Sequence, residues 1–187
     1  MAAGPRLFKV IKGGYVLLDG VNGAVLRILP FQYNPETVTR HLNTVLVPPN
    51  LPPTMPQEFM SFTVSFDAAD KLETGDPLTQ QDGILPMLAA LEGLLNPDSN
   101  SLVVWVSGNK RIVPVQITEM QFVEQAFDAN LNPIRANVAI TQFALSAQQL
   151  ASNPRGLALL NAYLLTLKQL GDANPGGSLA AMGLSGI

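Results

Sequence analysis

The side chains with a capacity for acid–base, metal or phosphate chemistry are few in this sequence and widely spaced. His41 is the one histidine, so a histidine metal site or a Ser-His-Asp triad has a single candidate. No carboxylate neighbours it, and Thr39-Arg40-His41-Leu42 alternates in polarity like a strand leaving a turn. It reads as a surface or interface histidine rather than a base. Asp67, Asp70, Glu73, Asp76 and Asp82 invite a cation site. They lack the alternate ligand positions, central glycine and terminal glutamate of a calcium loop, so a solvated loop is expected. Gly13-Gly14 has no following Lys-Ser or Lys-Thr, Gly176-Gly177 lies in the tail, and no Gly-x-Ser-x-Gly turn is present. Trp105, the one tryptophan, alternates with valines and reads as a packing residue of core or interface rather than a sugar platform. Arg135 stands at the start of an apolar strand, where a buried guanidinium would require a carboxylate or several carbonyls. It is either an ordinary exposed strand residue, the reading that sequence favours, or a residue that fixes a subunit contact. No catalytic, cofactor-binding or metal site is expected.

The elements around these residues are β-rich. Five Asn-Pro pairs, at Asn34, Asn96, Asn132, Asn153 and Asn174, mark element boundaries, because the residue before proline is driven toward extended geometry and asparagine turns readily. Residues 7–29 read as a hairpin turning at Asp19-Gly20-Val21-Asn22-Gly23. Five prolines in 45–56, Pro48, Pro49, Pro52, Pro53 and Pro56, exclude a helix or a central strand there. The segment is either a stiff connector or a docking arm for a neighbouring subunit. Residues 59–66 alternate cleanly as a half-buried strand, 84–95 carry apolar residues at helical spacing, and strands follow at 102–106, 112–118, 120–127 and 134–145. The chain then changes character. Asn153-Pro154 is a helix start, and Leu157, Leu160, Leu164 and Leu167 form a stripe widened by Leu159, Tyr163 and Leu165. A stripe of that width fits a core groove or, as its breadth favours, another protein. The expected organisation is a β domain over 1–150 and an interaction extension, an apolar helix with a Gly-rich tail, over 151–187.

Composition bounds the function classes. The chain has 187 residues, 47% hydrophobic and 13% charged, with a net charge of -3 and no cysteine. That supports a folded core, excludes disulfide and thiolate chemistry, and gives no basic field for nucleic acid. No apolar run reaches the roughly 18 to 20 residues of a membrane span. No basic stretch with a long apolar run opens the sequence, so synthesis without a signal peptide is expected. So low a charge density suggests surface covered by other subunits.

The run Phe31-Gln32-Tyr33-Asn34-Pro35-Glu36-Thr37-Val38 resembles the F-x-[FY]-N-P opening of baseplate and tube-initiating proteins of phage tail-like contractile injection systems. Later blocks are similar in order: Phe66-Asp67, the helix near Leu88, the strand with Trp105, Phe127-Asp128, and Pro133-Ile134-Arg135-Ala136 leading into Val138-Ala139-Ile140-Thr141. The resemblance covers about residues 5–147. It implies a mainly β, tube-protein-like sandwich or barrel with one or two helices, including the C-terminal one. It also implies a homo-oligomeric, hexameric ring between the spike hub and the inner tube. Partners would be the spike or hub protein, the inner tube protein, and sheath or wedge baseplate proteins, within a particle made in the bacterial cytoplasm. Many relatives continue into a LysM module; here a short apolar helix stands in its place. Interface candidates are Phe31, Tyr33, Asn34, Pro35, Pro48, Pro49, Pro52, Pro53, Arg135, Leu157, Leu160, Leu164 and Leu167. A plain contractile phage tail protein or a stand-alone ligand-binding β domain is the alternative, the latter requiring a pocket with convergent polar groups.

Overall fold

The computed structural model describes residues 11–44, 56–98 and 100–182. Pro48, Pro49, Pro52 and Pro53 lie outside them. Seven strands form one antiparallel sheet: β1 (Gly14–Asp19), β2 (Val25–Pro30), β3 (Val38–Asn43), β4 (Gln57–Asp67), β5 (Ser101–Val106), β6 (Ile112–Phe127) and β7 (Pro133–Ala144). Their order is β2-β1-β5-β6-β7-β4-β3. The helices are α1 (Ala69–Glu73), α2 (Pro77–Asp82), α3 (Leu85–Glu92) and α4 (Pro154–Asp172), with a short 3-10 turn at Leu179–Met182.

The β1–β2 hairpin turns where the sequence places it. The Asp19 carboxylate accepts from the Val21 and Asn22 backbone N–H groups at 2.7 and 3.1 Å, and Gly23 takes φ +72°, which favours glycine. One difference concerns β6. It is a single strand rather than two, because the break between 118 and 120 is a register shift between Ile117 and Glu119, a bulge within a continuing ladder. A second difference is the helix count. The polar loop after β4 folds into α1 and α2, so four helices replace the one or two expected. Asp76 caps α2, accepting from the Thr79 backbone N–H at 3.0 Å and from its hydroxyl at 2.6 Å, with Pro77 at the first helical position.

Strand β6 belongs to two half-sheets. Ile112, Val113 and Pro114 pair with β5, and the strand from Val115 to Phe127 pairs with β7. The first half is β2, β1, β5 and the start of β6; the second is the rest of β6, β7, β4 and β3. The halves pack face to face. Phe62 of β4 stacks on Trp105 of β5 with ring centroids 5.5 Å apart, and Phe31 lies 5.8 Å from Phe62 and 5.6 Å from Tyr15. The Tyr15 hydroxyl donates to Gln142 Oε1 at 2.5 Å, so the buried amide and phenol partner each other across the core.

Helix α4 covers the opposite face of the first half. Asn153 accepts from the Gly156 N–H at 2.8 Å as the cap. Leu160 packs with Leu18, Leu102, Val104 and Leu150 in a second core, joined by partly buried Leu157, Leu159 and Leu164. This explains why β5 reads as a continuous apolar run: Val103 and Trp105 face one core, Leu102 and Val104 the other. The wide leucine stripe, expected to favour another protein, is therefore spent largely on the chain's own sheet. Leu165 and Leu170 remain exposed.

Tyr163 of α4 reaches round to the first core. Its hydroxyl donates to Glu58 Oε2 at 2.9 Å, Arg40 pairs with the other Glu58 oxygen, and Arg40 Nη2 also donates to the Tyr163 oxygen at 3.3 Å. Burial pushes the Tyr163 phenol up to about 12, with the neighbouring Glu58 charge acting in the same direction, and burial raises Tyr15 strongly. Because the folded values lie above the unfolded one, the neutral phenols contribute stability in full below roughly pH 10. That contribution is lost as pH rises through the folded values. The urea midpoint is expected to fall between pH 10 and about 12, and to fall less steeply in Tyr163→Phe. Equal slopes for the two proteins would contradict the assignment.

Candidate functional site

The two stretches of the family resemblance, 31–36 and 128–136, meet at Asp67. From the first, the Gln32 side chain behaves as a piece of strand: its Nε2 donates to the Asp67 carbonyl at 2.6 Å, and its Oε1 accepts from the Asp67 N–H at 2.9 Å. From the second, Arg135 Nε pairs with Asp67 Oδ2 at 2.7 Å across the β4–β7 register. The other carboxylate oxygen of Asp67 accepts from the Ala69 N–H at 2.8 Å, where α1 begins. Arg135 is thus an exposed strand residue that has found a carboxylate within its own chain.

Phe31 and Asn34 anchor this stretch on the chain entering β1. Phe31 is 1% exposed, a core residue rather than the surface contact expected, and its N–H donates to the Gly13 carbonyl at 2.8 Å. Asn34 clamps the chain entering β1, with its Oδ1 accepting from the Gly13 N–H at 2.7 Å and its Nδ2 donating to the Ile11 carbonyl at 2.9 Å. A side-chain amide can satisfy a backbone donor and acceptor together, which neither an aspartate nor a leucine could do here. Pro35 follows, and its ring disfavours a helical backbone at Asn34. Tyr33 is exposed.

The second stretch is a turn held mainly by Asp128 and tied to α2 through Asn132. Asp128 Oδ1 accepts from the Asn130 and Asn132 N–H groups, each at 2.8 Å, while Asn132 Nδ2 donates to Asp128 Oδ2 and to the Gln81 carbonyl, each at 2.9 Å. Hydrogen bonds from Asn132, side chain first and then backbone, hold the Asp128 carboxyl below its ordinary value. Leu131 sits at the tip with φ +66° and is 78% exposed. A bulky residue in the left-handed region is strained, and here the Asp128 hydrogen bonds hold it.

Between the 33–37 loop and the outer face of the second half-sheet lies a groove of 890 Å³. Its strand side presents Thr39, Ser61, Thr63, Ser65, Asn137 and Thr141; its loop side presents Tyr33, Asn34, Glu36 and Thr37. Hydroxyl and amide groups share the lining with apolar surface, to which Phe62, Ala139 and Ile140 belong, and Glu36 is the one charged side chain in it. Among the described residues no imidazole, thiol or ammonium lines it, and Glu36 supplies its one carboxylate. His41 is exposed on β3, beyond the groove. Among the described residues no group of three or more His, Asp or Glu side chains is placed to hold a metal ion, and no helix is long and apolar enough to cross a membrane.

Sequence reasoning missed two partnerships. Gln32 with Asp67 left no signal, since the residues lie 35 apart with nothing in either neighbourhood to link them. Glu58 and Arg40 did leave one: each shares strand parity with core-facing neighbours, Glu58 with Met60 and Phe62, Arg40 with Val38. The sequence matches no protein-family model and no curated protein.

Proposed function

We propose that this protein is a structural baseplate component of a phage tail-like contractile injection system. In this reading it forms a ring that joins the spike hub to the inner tube and starts tube assembly, made in the bacterial cytoplasm and built into the particle. The observation that carries the reading is the second half-sheet. Among the described residues it ends on two edges with no further strand paired to them, β3 on one side and, on the other, β6 beyond its short pairing with β5. One edge of a subunit can extend the sheet of the next, a heterologous contact that closes when the rotation is right. Exposed edges of that length are otherwise an aggregation hazard, which a ring removes. The outer face between the edges is fit for a shared interior surface, being rich in Ser, Thr and Asn, with Arg135 paired to Asp67. Exposed Leu42 on β3, and Val123 and Phe127 on β6, add apolar area along the edges that would meet.

Backbone parity gives a direct test. The Ala68 N–H donates to the Ile134 carbonyl, so even-numbered β4 residues face β7 and odd-numbered ones face away; carried across the β7 register, this turns the N–H of Met120, Phe122 and Glu124 toward the open edge. Glu124→Pro removes one outward donor from an exposed position and leaves the β6–β7 ladder bonds in place. The variant is expected to fold with the circular dichroism of the wild type, yet to be absent from rods recovered with a tagged protein from native cells. Electron microscopy and mass spectrometry of that material would read both proteins. Rods that contain the variant at wild-type occupancy would refute edge pairing through β6, and rods lacking the wild-type protein would refute the whole assignment.

A further inference from the structure

The 890 Å³ groove contains a gap in the sheet. Strand β3 pairs with β4 only from Gln57 to Phe62, and the next link along that side of β4 is the Gln32 amide on Asp67. Between Phe62 and Asp67 the neighbouring chain, 33–37, runs without strand pairing, drawn toward β1 by the Asn34 clamp on Ile11 and Gly13. The parity is fixed at both ends. Asp67 turns its N–H and carbonyl toward Gln32, and Ala68 turns its N–H toward Ile134 of β7. Alternation therefore points the N–H and carbonyl of Thr63 and Ser65 into the gap. Among the described residues no hydrogen bond joins those groups to the 33–37 loop. Both residues are exposed, and two donors with two acceptors stand in the order that a strand would match.

We propose that this gap is a strand-addition site for an extended peptide segment, uncharged except for one basic residue. The gap from Phe62 to Asp67 is about 17 Å long at roughly 3.4 Å per residue, enough for four or five extended residues. A peptide entering it would exchange backbone hydrogen bonds with Thr63 and Ser65, which gives affinity without side-chain selection. Selection comes from the walls. The strand side offers hydroxyl and amide groups suited to small polar side chains, Tyr33 supplies an exposed ring at the mouth, and Glu36 supplies the one charge, which favours a lysine or arginine. Nothing here depends on ring assembly, and among the described residues of a single copy no segment fills the gap.

The test uses the purified full-length chain and a blocked pentapeptide alternating threonine and valine, with one lysine. Two more peptides carry N-methyl groups, one on the odd and one on the even residues. In nitrogen–proton correlation spectra, the parent peptide is expected to move the Thr63 and Ser65 amide signals saturably and to slow their hydrogen exchange. One methylated peptide is expected to bind about tenfold more weakly or worse, the other as the parent does, because a strand in a one-sided gap uses the N–H groups of one edge. Glu36→Gln, an exposed change, should erase the preference for lysine over an uncharged residue at that position. The proposal fails if the parent peptide moves neither signal, or if both methylated peptides bind like the parent. It also fails if maltohexaose produces the same shifts, which would make the groove a sugar site. Shifts of the two signals on dilution without peptide would assign the gap to a second copy of the chain and overturn the proposal too.

Discussion

Arg40→Met is expected to lower the folding free energy by about 3 kcal/mol, the lower end of the range for breaking a buried ion pair, since the Arg40 side chain is 25% exposed and Glu58 only 7%. The loss follows from what is left behind. Glu58 lies on the core-facing side of β4, and without Arg40 its charge is answered by the Tyr163 hydroxyl alone. Arg40 belongs to an edge strand and Tyr163 to α4, so one carboxylate ties the C-terminal helix to the far edge of the sheet. Adding Glu58→Met to Arg40→Met is expected to restore more than half of the loss, because the buried charge goes with its partner and an apolar pair of similar size remains. Urea unfolding of the two single variants and the double variant completes the cycle. A double variant that loses the sum of the singles would show that the pair is not coupled, and that the three side chains sit together without depending on one another.

The parts of this fold that the sequence displays are those written in period and punctuation. β4 alternates Met60, Phe62, Val64 and Phe66 against Ser61, Thr63 and Ser65, and the same alternation both makes the core and lines the groove. Asn153-Pro154 begins α4 because cap and fixed φ coincide there. What could not be read is the pairing of remote elements. Nothing near Gln32 says that its amide will stand in for a strand residue beside Asp67, and nothing near β6 says that one strand will serve two half-sheets. α1 and α2 stayed hidden because their apolar content is too small to show a period, although Asp76-Pro77 carried the start signal for the second. The leucine stripe of α4 was visible, but its partner was not: an apolar face specifies that it must be covered, not by which chain. The candidate site was legible as a motif and illegible as a shape. Phe31, Asn34 and Pro35 were singled out by resemblance, while their physical work, one buried ring and one backbone clamp beside a gap in the sheet, is a property of the folded chain.

Trp105 separates packing from polarity in the core. It is 1% exposed, stacks on Phe62 at 5.5 Å and joins the two half-sheets, so Trp105→Ala is expected to cost about 4 kcal/mol through lost burial and the cavity left behind. Yet its indole N–H is buried without a hydrogen-bond partner among the described residues. Such an orphan carries a desolvation penalty of roughly 1 to 3 kcal/mol that the folded state absorbs. Trp105→Phe removes the orphan together with part of the ring. The two effects oppose each other, and the net loss is expected to stay below about 1.5 kcal/mol, far less than the volume change alone would predict. Thermal and urea unfolding of both variants would measure the difference. A phenylalanine variant nearly as unstable as the alanine one would mean that the N–H costs the fold nothing. The core would then owe its stability at this point to the full indole area against Phe62, and the orphan would have to be satisfied by water in solution.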